Sequence, residues 1–208
     1  MRVIHLLALG LTTLLGTSGI LAQEAQQALF LSGTHTLQGF VYKPAGKGPF
    51  PAVIFNQQPD SKPYTHGQAA PYPGLAKVFV SQGYVFFVPG RHGPAPTRKN
   101  DDDNTKAGEE RKLIESHEYH AANALAALAW LKAQIYVDET RIAMIGDTAG
   151  GVTTLFAMEQ ASGLRGAVVF SPGVTMLVRN PSFRDRVKNA IQQTKIPILL
   201  LQAENDYT

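Results

Sequence analysis

The sequence contains no cysteine among its 208 residues. Disulfide bonds, thiolate metal ligands, iron–sulfur clusters and a cysteine nucleophile are therefore excluded. Net charge is also small, because 19 Lys and Arg residues nearly balance 16 Asp and Glu residues and leave +3. The basic residues form no stripe or arm, so they give no indication of nucleic acid binding. No internal repeat or linker divides the chain, which predicts one domain.

Long hydrophobic runs are also scarce, and the one that stands out lies at the N-terminus. Residues 3–15 are apolar; they follow Arg2 and precede small residues that end near Ala22. This order is typical of a cleaved secretory signal peptide, and the run is shorter than the roughly 20 residues of a membrane-spanning helix. We predict a signal peptide over residues 1–22, export to the periplasm or the extracellular space, and no membrane attachment after cleavage.

The rest of the chain alternates short apolar runs with helical patterns. Predicted strands cover residues 36–42, 52–55, 84–88, 142–145, 167–170 and 198–201, and predicted helices cover residues 75–82, 110–134, 151–161 and 183–193. Continuous apolar strands separated by helices predict an α/β fold, with a mostly parallel sheet and helices on both faces. In such sheets the chemistry lies in loops at the carboxyl ends of the strands.

One such loop, residues 146–151, reads Gly-Asp-Thr-Ala-Gly-Gly and joins a predicted strand to a predicted helix. A phosphate-binding loop would need lysine where Val152 stands, and a dinucleotide fingerprint would need glycine where Thr148 stands. A plain glycine-rich turn that allows close packing is one remaining interpretation. The other is a nucleophile elbow, Gly-x-Ser-x-Gly, with Thr148 in the serine position.

With this elbow and its order of strands, the chain resembles the dienelactone-hydrolase-like branch of the α/β-hydrolases. The resemblance covers most of the mature chain and is carried by residues 42–44, 48–54, 83–89, 146–150, 171–172 and 197–206. It implies an α/β-hydrolase domain over residues 23–208 that lacks the last strand and helix of the fold, and is thus incomplete at the C-terminus.

The resemblance also implies a chemistry, residue by residue. Thr148 matches the nucleophile, and Asp206 matches the acid that orients a catalytic histidine. The backbone N–H of Ala149 and one N–H from the loop carrying Gln57 and Gln58 would form the oxyanion hole. The expected reaction is hydrolysis of a small carboxylic ester or lactone through an acyl-enzyme, with no metal or organic cofactor.

The chain departs from the family pattern at the nucleophile, the oxyanion loop and the histidine. Thr148 replaces the usual Ser or Cys, and Gln57-Gln58 replaces a His-Gly pair. The triad histidine should follow Asp206 in the chain, so the alternative bases are the loop residues His66 and His92. Two functions therefore stay open: an ester hydrolase, or a non-catalytic relative that binds a small carbonyl compound or a protein partner.

Two further features have simple interpretations. His117 and His120, three residues apart on the long predicted helix, are expected to be ordinary helix-surface or core-edge residues rather than a metal site. The apolar strand over residues 198–201 is expected at an edge of the sheet, and an exposed apolar edge favours self-association.

Overall fold

The computed structural model describes residues 24–57, 71–91 and 103–206. The predicted signal peptide, Gln58, His66 and His92 lie outside the described residues. Seven strands are described: β1 (Gln26–Ser32), β2 (His35–Tyr42), β3 (Phe50–Asn56), β4 (Val85–Pro89), β5 (Val137–Asp147), β6 (Leu164–Phe170) and β7 (Ile198–Leu201). Five helices accompany them: α1 (Pro73–Ser81), α2 (Lys106–Lys132), α3 (Ala149–Gln160), α4 (Val174–Arg179) and α5 (Pro181–Gln193).

The described strands form a single sheet in the order β1-β2-β4-β3-β5-β6-β7. The five strands from β4 to β7 along this order are parallel to their neighbours, whereas β1 and β2 are antiparallel additions at one side. The centre of the sheet is apolar because all five residues of β4 are buried. The prediction of a mostly parallel α/β sheet is thus confirmed.

Helices cover the two faces of the sheet unequally. On one face α2, α3 and α5 pack over a large core that includes Phe87, Phe156 and Phe183. On the other face α1 contributes Ala76 and Val80 to a smaller core. Along the chain, β4 and β5 lead at their carboxyl ends into the segments that precede α2 and α3, where function is expected.

The predicted strands and helices all occur, with bounds that differ by a few residues. Two elements were not predicted, namely β1 and the short helix α4. In β1 only Ala28 and Phe30 are buried, so its apolar signal is weak. The strand exists because a tight turn at Gly33, whose φ is 58°, folds it back along β2.

Candidate active site

Thr148 occupies a single-residue turn between β5 and α3. Its φ of 52° and ψ of −117° lie in a region that residues with a side chain rarely adopt. Hydrogen bonds hold it there: its N–H donates to the Phe170 carbonyl at 2.9 Å, and its own carbonyl accepts from Gly151 N–H at 3.0 Å. Such a conformation costs about 1–3 kcal/mol and is most often retained at functional sites.

The two glycines that flank Thr148 permit this turn. A Cβ on Gly146 would overlap the Gly150 carbonyl and the Thr154 hydroxyl. A Cβ on Gly150 would overlap the carbonyl oxygen of Asn56, the last residue of β3. The glycines are therefore required for close approach of strand, turn and helix, which is the packing that a nucleophile elbow needs.

The same close approach brings together two of the residues proposed for an oxyanion hole. Ala149 is the first residue of α3, so its N–H is one of those that a helix leaves without an intrahelical acceptor. Gln57 directly follows β3 and is buried, and its carbonyl oxygen would lie 2.7 Å from a Cβ on Gly150. The first turn of α3 and the loop after β3 therefore lie against each other, while Gln58 lies outside the described residues.

A hydrogen-bonded chain fixes the elbow to β3. The buried side-chain amide of Asn56 donates to the Thr154 hydroxyl at 2.9 Å, and that hydroxyl donates to the Gly150 carbonyl at 2.9 Å. Neither Asn56 nor Thr154 is among the site residues predicted from the sequence. The available signal was an asparagine that ends a continuous apolar run, because a buried amide must find a partner.

Arg91 adds a positive charge beside this loop. Its guanidinium Nη2 donates to the carbonyl of Gln57, which joins the segment after β4 to the segment after β3. Arg91 is not among the site residues predicted from the sequence. The structure shows that it supports the loop on which Gln57 lies.

Asp206 lies five residues after the end of β7, so it and the elbow both follow the carboxyl ends of parallel strands. Backbone hydrogen bonds link the elbow to the end of β7, since Thr148 N–H donates to the Phe170 carbonyl and Ser171 N–H donates to the Leu201 carbonyl, each at 2.9 Å. The Asp206 carboxylate accepts a 2.7 Å hydrogen bond from the Gln202 side chain. The pairing of Asp206 with a histidine stays a prediction, because His66 and His92 are not described.

The hydroxyl of Thr148 has a weak polar contact in the structure. It donates to the Asp147 carboxylate at 3.3 Å, and no described histidine hydrogen-bonds to it. His117 and His120 are buried on α2, as core-edge histidines would be. Nδ1 of His117 lies 2.9 Å from the Leu113 carbonyl, and the ring packs 5.0 Å from that of Phe183.

A polar pocket occurs at the opposite end of the strands, bordered by Lys132 and Arg165. Both of these basic side chains hydrogen-bond to backbone carbonyls. The Lys132 ammonium donates to the Ser162 carbonyl at 2.6 Å, and the Arg165 guanidinium donates to the Thr140 carbonyl at 2.6 Å. Because this pocket lies at the amino ends of β5 and β6, we assign the candidate active site to the elbow instead.

Residues 24–57, 71–91 and 103–206 contain no group of three or more histidine and acidic side chains that could hold a metal ion. Over the same ranges, no helix combines the length and the apolar character needed to cross a membrane.

The fold and the elbow define an α/β-hydrolase architecture. A sequence model described as "Dienelactone hydrolase family" matches residues 37–208, and the chain belongs to this family. Comparison with curated proteins finds no match.

Solved structures share this fold at low sequence identity. One is the acylaminoacyl peptidase of Pyrococcus horikoshii, at 17% identity and a TM-score of 0.63, with 91% of this chain and 33% of that protein covered. Another is a dienelactone hydrolase-like promiscuous phosphotriesterase from metagenomic libraries, at 19% identity and a TM-score of 0.58, with 88% and 82% covered. A cold-adapted esterase from an Arctic intertidal metagenomic library has 16% identity and a TM-score of 0.59, with 86% and 71% covered. The chain thus spans about a third of the length of the peptidase.

Proposed function

We propose that this protein hydrolyses a small carboxylic ester or lactone at the elbow. The observation that carries the proposal is the backbone conformation of Thr148, whose φ is 52° in the turn between β5 and α3. A threonine gains nothing in stability from such a conformation, and strained residues of this kind cluster at functional sites, which supports a role for its hydroxyl.

In the proposed reaction, the Thr148 hydroxyl oxygen attacks the carbonyl carbon of the ester. A base takes the hydroxyl proton and gives it to the leaving alkoxide, and an acyl-enzyme remains on Thr148. Backbone N–H groups of Ala149 and of the loop carrying Gln57 would stabilise the oxyanion. Water then repeats the attack on the acyl-enzyme and releases the acid.

The base is assigned to His92 or His66, and Asp206 would hold the imidazole in its working orientation. Both residues belong to segments that follow the carboxyl ends of strands, which supports the assignment, although the family order would place the histidine after Asp206. No cofactor or metal takes part in this mechanism.

Hydrolysis of p-nitrophenyl acetate tests the proposal. We expect Thr148→Ala to lower kcat/KM about a hundredfold or more, and Thr148→Ser to keep or raise it by removing the crowding methyl. Asp206→Asn should also lower kcat/KM. One of the two histidine variants, His92→Ala or His66→Ala, should lower kcat/KM as much as Thr148→Ala does. Thr36→Ala, at an exposed threonine of β2, is the control and should match the wild type.

A non-catalytic binding role is the alternative, and one observation favours it. The Thr148 hydroxyl contacts the Asp147 carboxylate rather than an imidazole in the described residues. On this alternative, wild type and Thr148→Ala would hydrolyse the ester at the same slow rate, while both would still bind a small carbonyl compound in calorimetry.

Export is a separate proposal. The charge, the apolar run and the small residues at the N-terminus support a signal peptide that is cleaved after Ala22. Expression of the full sequence in a bacterium should place a product that starts at Gln23 in the periplasm or medium. Mass spectrometry of the N-terminal peptide checks this, and a cytoplasmic product that starts at Met1 would contradict it.

A further inference from the structure

Arg91 joins the segments that follow two neighbouring strands. β3 and β4 pair in parallel, Gln57 directly follows β3, and Arg91 comes two residues after the end of β4. The guanidinium Nη2 of Arg91 donates to the Gln57 carbonyl, and a charged donor forms a stronger hydrogen bond than a neutral one. Because Gln57 is buried, this bond fixes a peptide group in the interior of the protein.

The carbonyl that Arg91 holds belongs to the peptide unit between Gln57 and Gln58. A peptide unit is planar and, where the second residue is not proline, almost always trans, so its C=O and N–H bonds point in opposite directions. A donor that fixes the carbonyl therefore also fixes the direction of the N–H. Gln58 lies outside the described residues, but its N–H belongs to the loop from which an oxyanion donor is proposed.

The same carbonyl lies against the start of α3. It would be only 2.7 Å from a Cβ on Gly150, which follows Ala149, the residue proposed to supply the other oxyanion donor. The Gln57 carbonyl is thus adjacent to the elbow as well as to Arg91. An error in the direction of this peptide unit would therefore be felt where the two proposed donors have to converge.

We infer that Arg91 is a positioning residue for the proposed reaction. It holds the peptide unit after Gln57 so that the N–H at the other end is aimed at the oxyanion, and it does not itself contact the substrate. The positive charge at the carbonyl oxygen also polarises the peptide unit, which strengthens its N–H as a donor. This inference rests on the proposed hydrolysis at Thr148, because only an oxyanion formed there needs the donor.

Hydrolysis of p-nitrophenyl acetate by Arg91→Met tests this role. The substrate oxygen becomes negative only in the transition states, and acylation and deacylation both form an oxyanion, so a misdirected donor slows both steps together. We therefore expect Arg91→Met to lower kcat about a hundredfold and to keep KM within about twofold of wild type. Methionine supplies an apolar stem in place of the arginine stem, so the packing changes little.

Two further variants separate this contact from other effects of losing an arginine. Arg165→Met is the matched control, because the Arg165 guanidinium also donates to a backbone carbonyl, that of Thr140 at 2.6 Å, but at the amino ends of the strands. It should keep the kcat and KM of the wild type. Arg91→Lys retains a charged donor without the planar fork of arginine, so we expect it to lower kcat only about tenfold.

Inhibition by trifluoroacetone gives a second measurement. The Thr148 hydroxyl oxygen adds to the ketone carbon, the hydroxyl proton passes to the base, and the former carbonyl oxygen carries a negative charge as in the transition state. Arg91→Met should raise the inhibition constant by about the factor by which it lowers kcat/KM, as expected for a transition-state analogue. An inhibition constant equal to that of the wild type would contradict a role at the oxyanion.

Urea unfolding identifies the variants that remain folded. If Arg91→Met does not fold, Arg91→Lys decides: a tenfold lower kcat at unchanged KM supports the inference, and an unchanged kcat overturns it. Turnover that depends on Thr148, but that Arg91→Met leaves unchanged or lowers through KM alone, refutes the inference and leaves the proposed function intact. Turnover that does not depend on Thr148 refutes the proposed function and this inference with it.

Discussion

The side-chain amide of Asn56 and the hydroxyl of Thr154, 98 residues apart in the chain, are joined by a hydrogen bond of 2.9 Å. Both side chains are buried, and Thr154 continues the chain by donating to the Gly150 carbonyl. The contact fixes the first turn of α3 against the end of β3. Since Thr148 and Gln57 lie on these two segments, their relative position depends on it.

Thr154→Val should therefore lower the free energy of unfolding by about 2 kcal/mol, because the buried Asn56 amide loses its hydroxyl partner. Urea denaturation measures the change. Thr153→Val is the matched control: Thr153 is also buried, but its hydroxyl only donates to the Ala149 carbonyl at 3.0 Å, so about 0.5 kcal/mol or less is expected. Equal losses in both variants would contradict a special role for the Asn56 contact.

The strained backbone of Thr148 predicts a gain in stability when the side chain is removed. Thr148→Gly should raise the free energy of unfolding by about 1 kcal/mol, because relief of strain exceeds the added freedom of the unfolded chain. The same substitution at Thr36, an exposed residue of β2, should lower it by about 1 kcal/mol. A lower stability of Thr148→Gly in thermal or urea unfolding would show that the turn carries little strain.

The positions of most elements could be predicted because their signals are local. Apolar runs define the central strands, and the glycines around Thr148 define the turn that follows β5. The contacts that support the site could not be predicted, because each joins distant parts of the chain. The Asn56 amide finds the Thr154 hydroxyl on α3, and Arg91 finds the Gln57 carbonyl after β3, and neither contact is visible in the local sequence.

Glu110 provides a pH-dependent contact of the same long-range kind. Its carboxylate accepts the Ser182 N–H at 2.7 Å at the start of α5, a helix with no side-chain cap of its own. Hydrogen bonding from the Ser182 side chain is the main cause that lowers the pKa of Glu110, against an opposing effect of burial. The carboxylate is therefore favoured in the folded state.

Because its folded pKa is lowered, Glu110 stabilises the fold above its unfolded pKa of about 4.5 and loses this effect as the pH falls through the folded value. Glu110→Gln should be less stable than the wild type at pH 7, and the difference should shrink below pH 4.5. Glu109→Gln, at the exposed neighbour, should show little of this change. Urea unfolding at a series of pH values checks it, and a constant difference would count against the contact.

The surroundings of His117 predict a second pH dependence of folding stability, at a higher pH than that of Glu110. Burial lowers the pKa of its imidazole, the hydrogen bond with the Leu113 carbonyl acts in the opposite direction, and the positive charge of Arg91 lowers it further. The ring is enclosed by Phe156 and Phe183. The folded state therefore binds a proton at this site less readily than the unfolded state.

A base with a lowered folded pKa costs stability as the pH falls below its unfolded pKa, because only the unfolded chain then gains the proton. The wild type should lose stability between pH 7 and pH 5, around the ordinary histidine value of 6.5. His117→Phe should reduce that loss, since an apolar ring takes no proton. Phe183→Leu, which alters the packing but keeps the imidazole, should retain it. Should His117→Phe keep the full slope of stability against pH, another group must bind the proton.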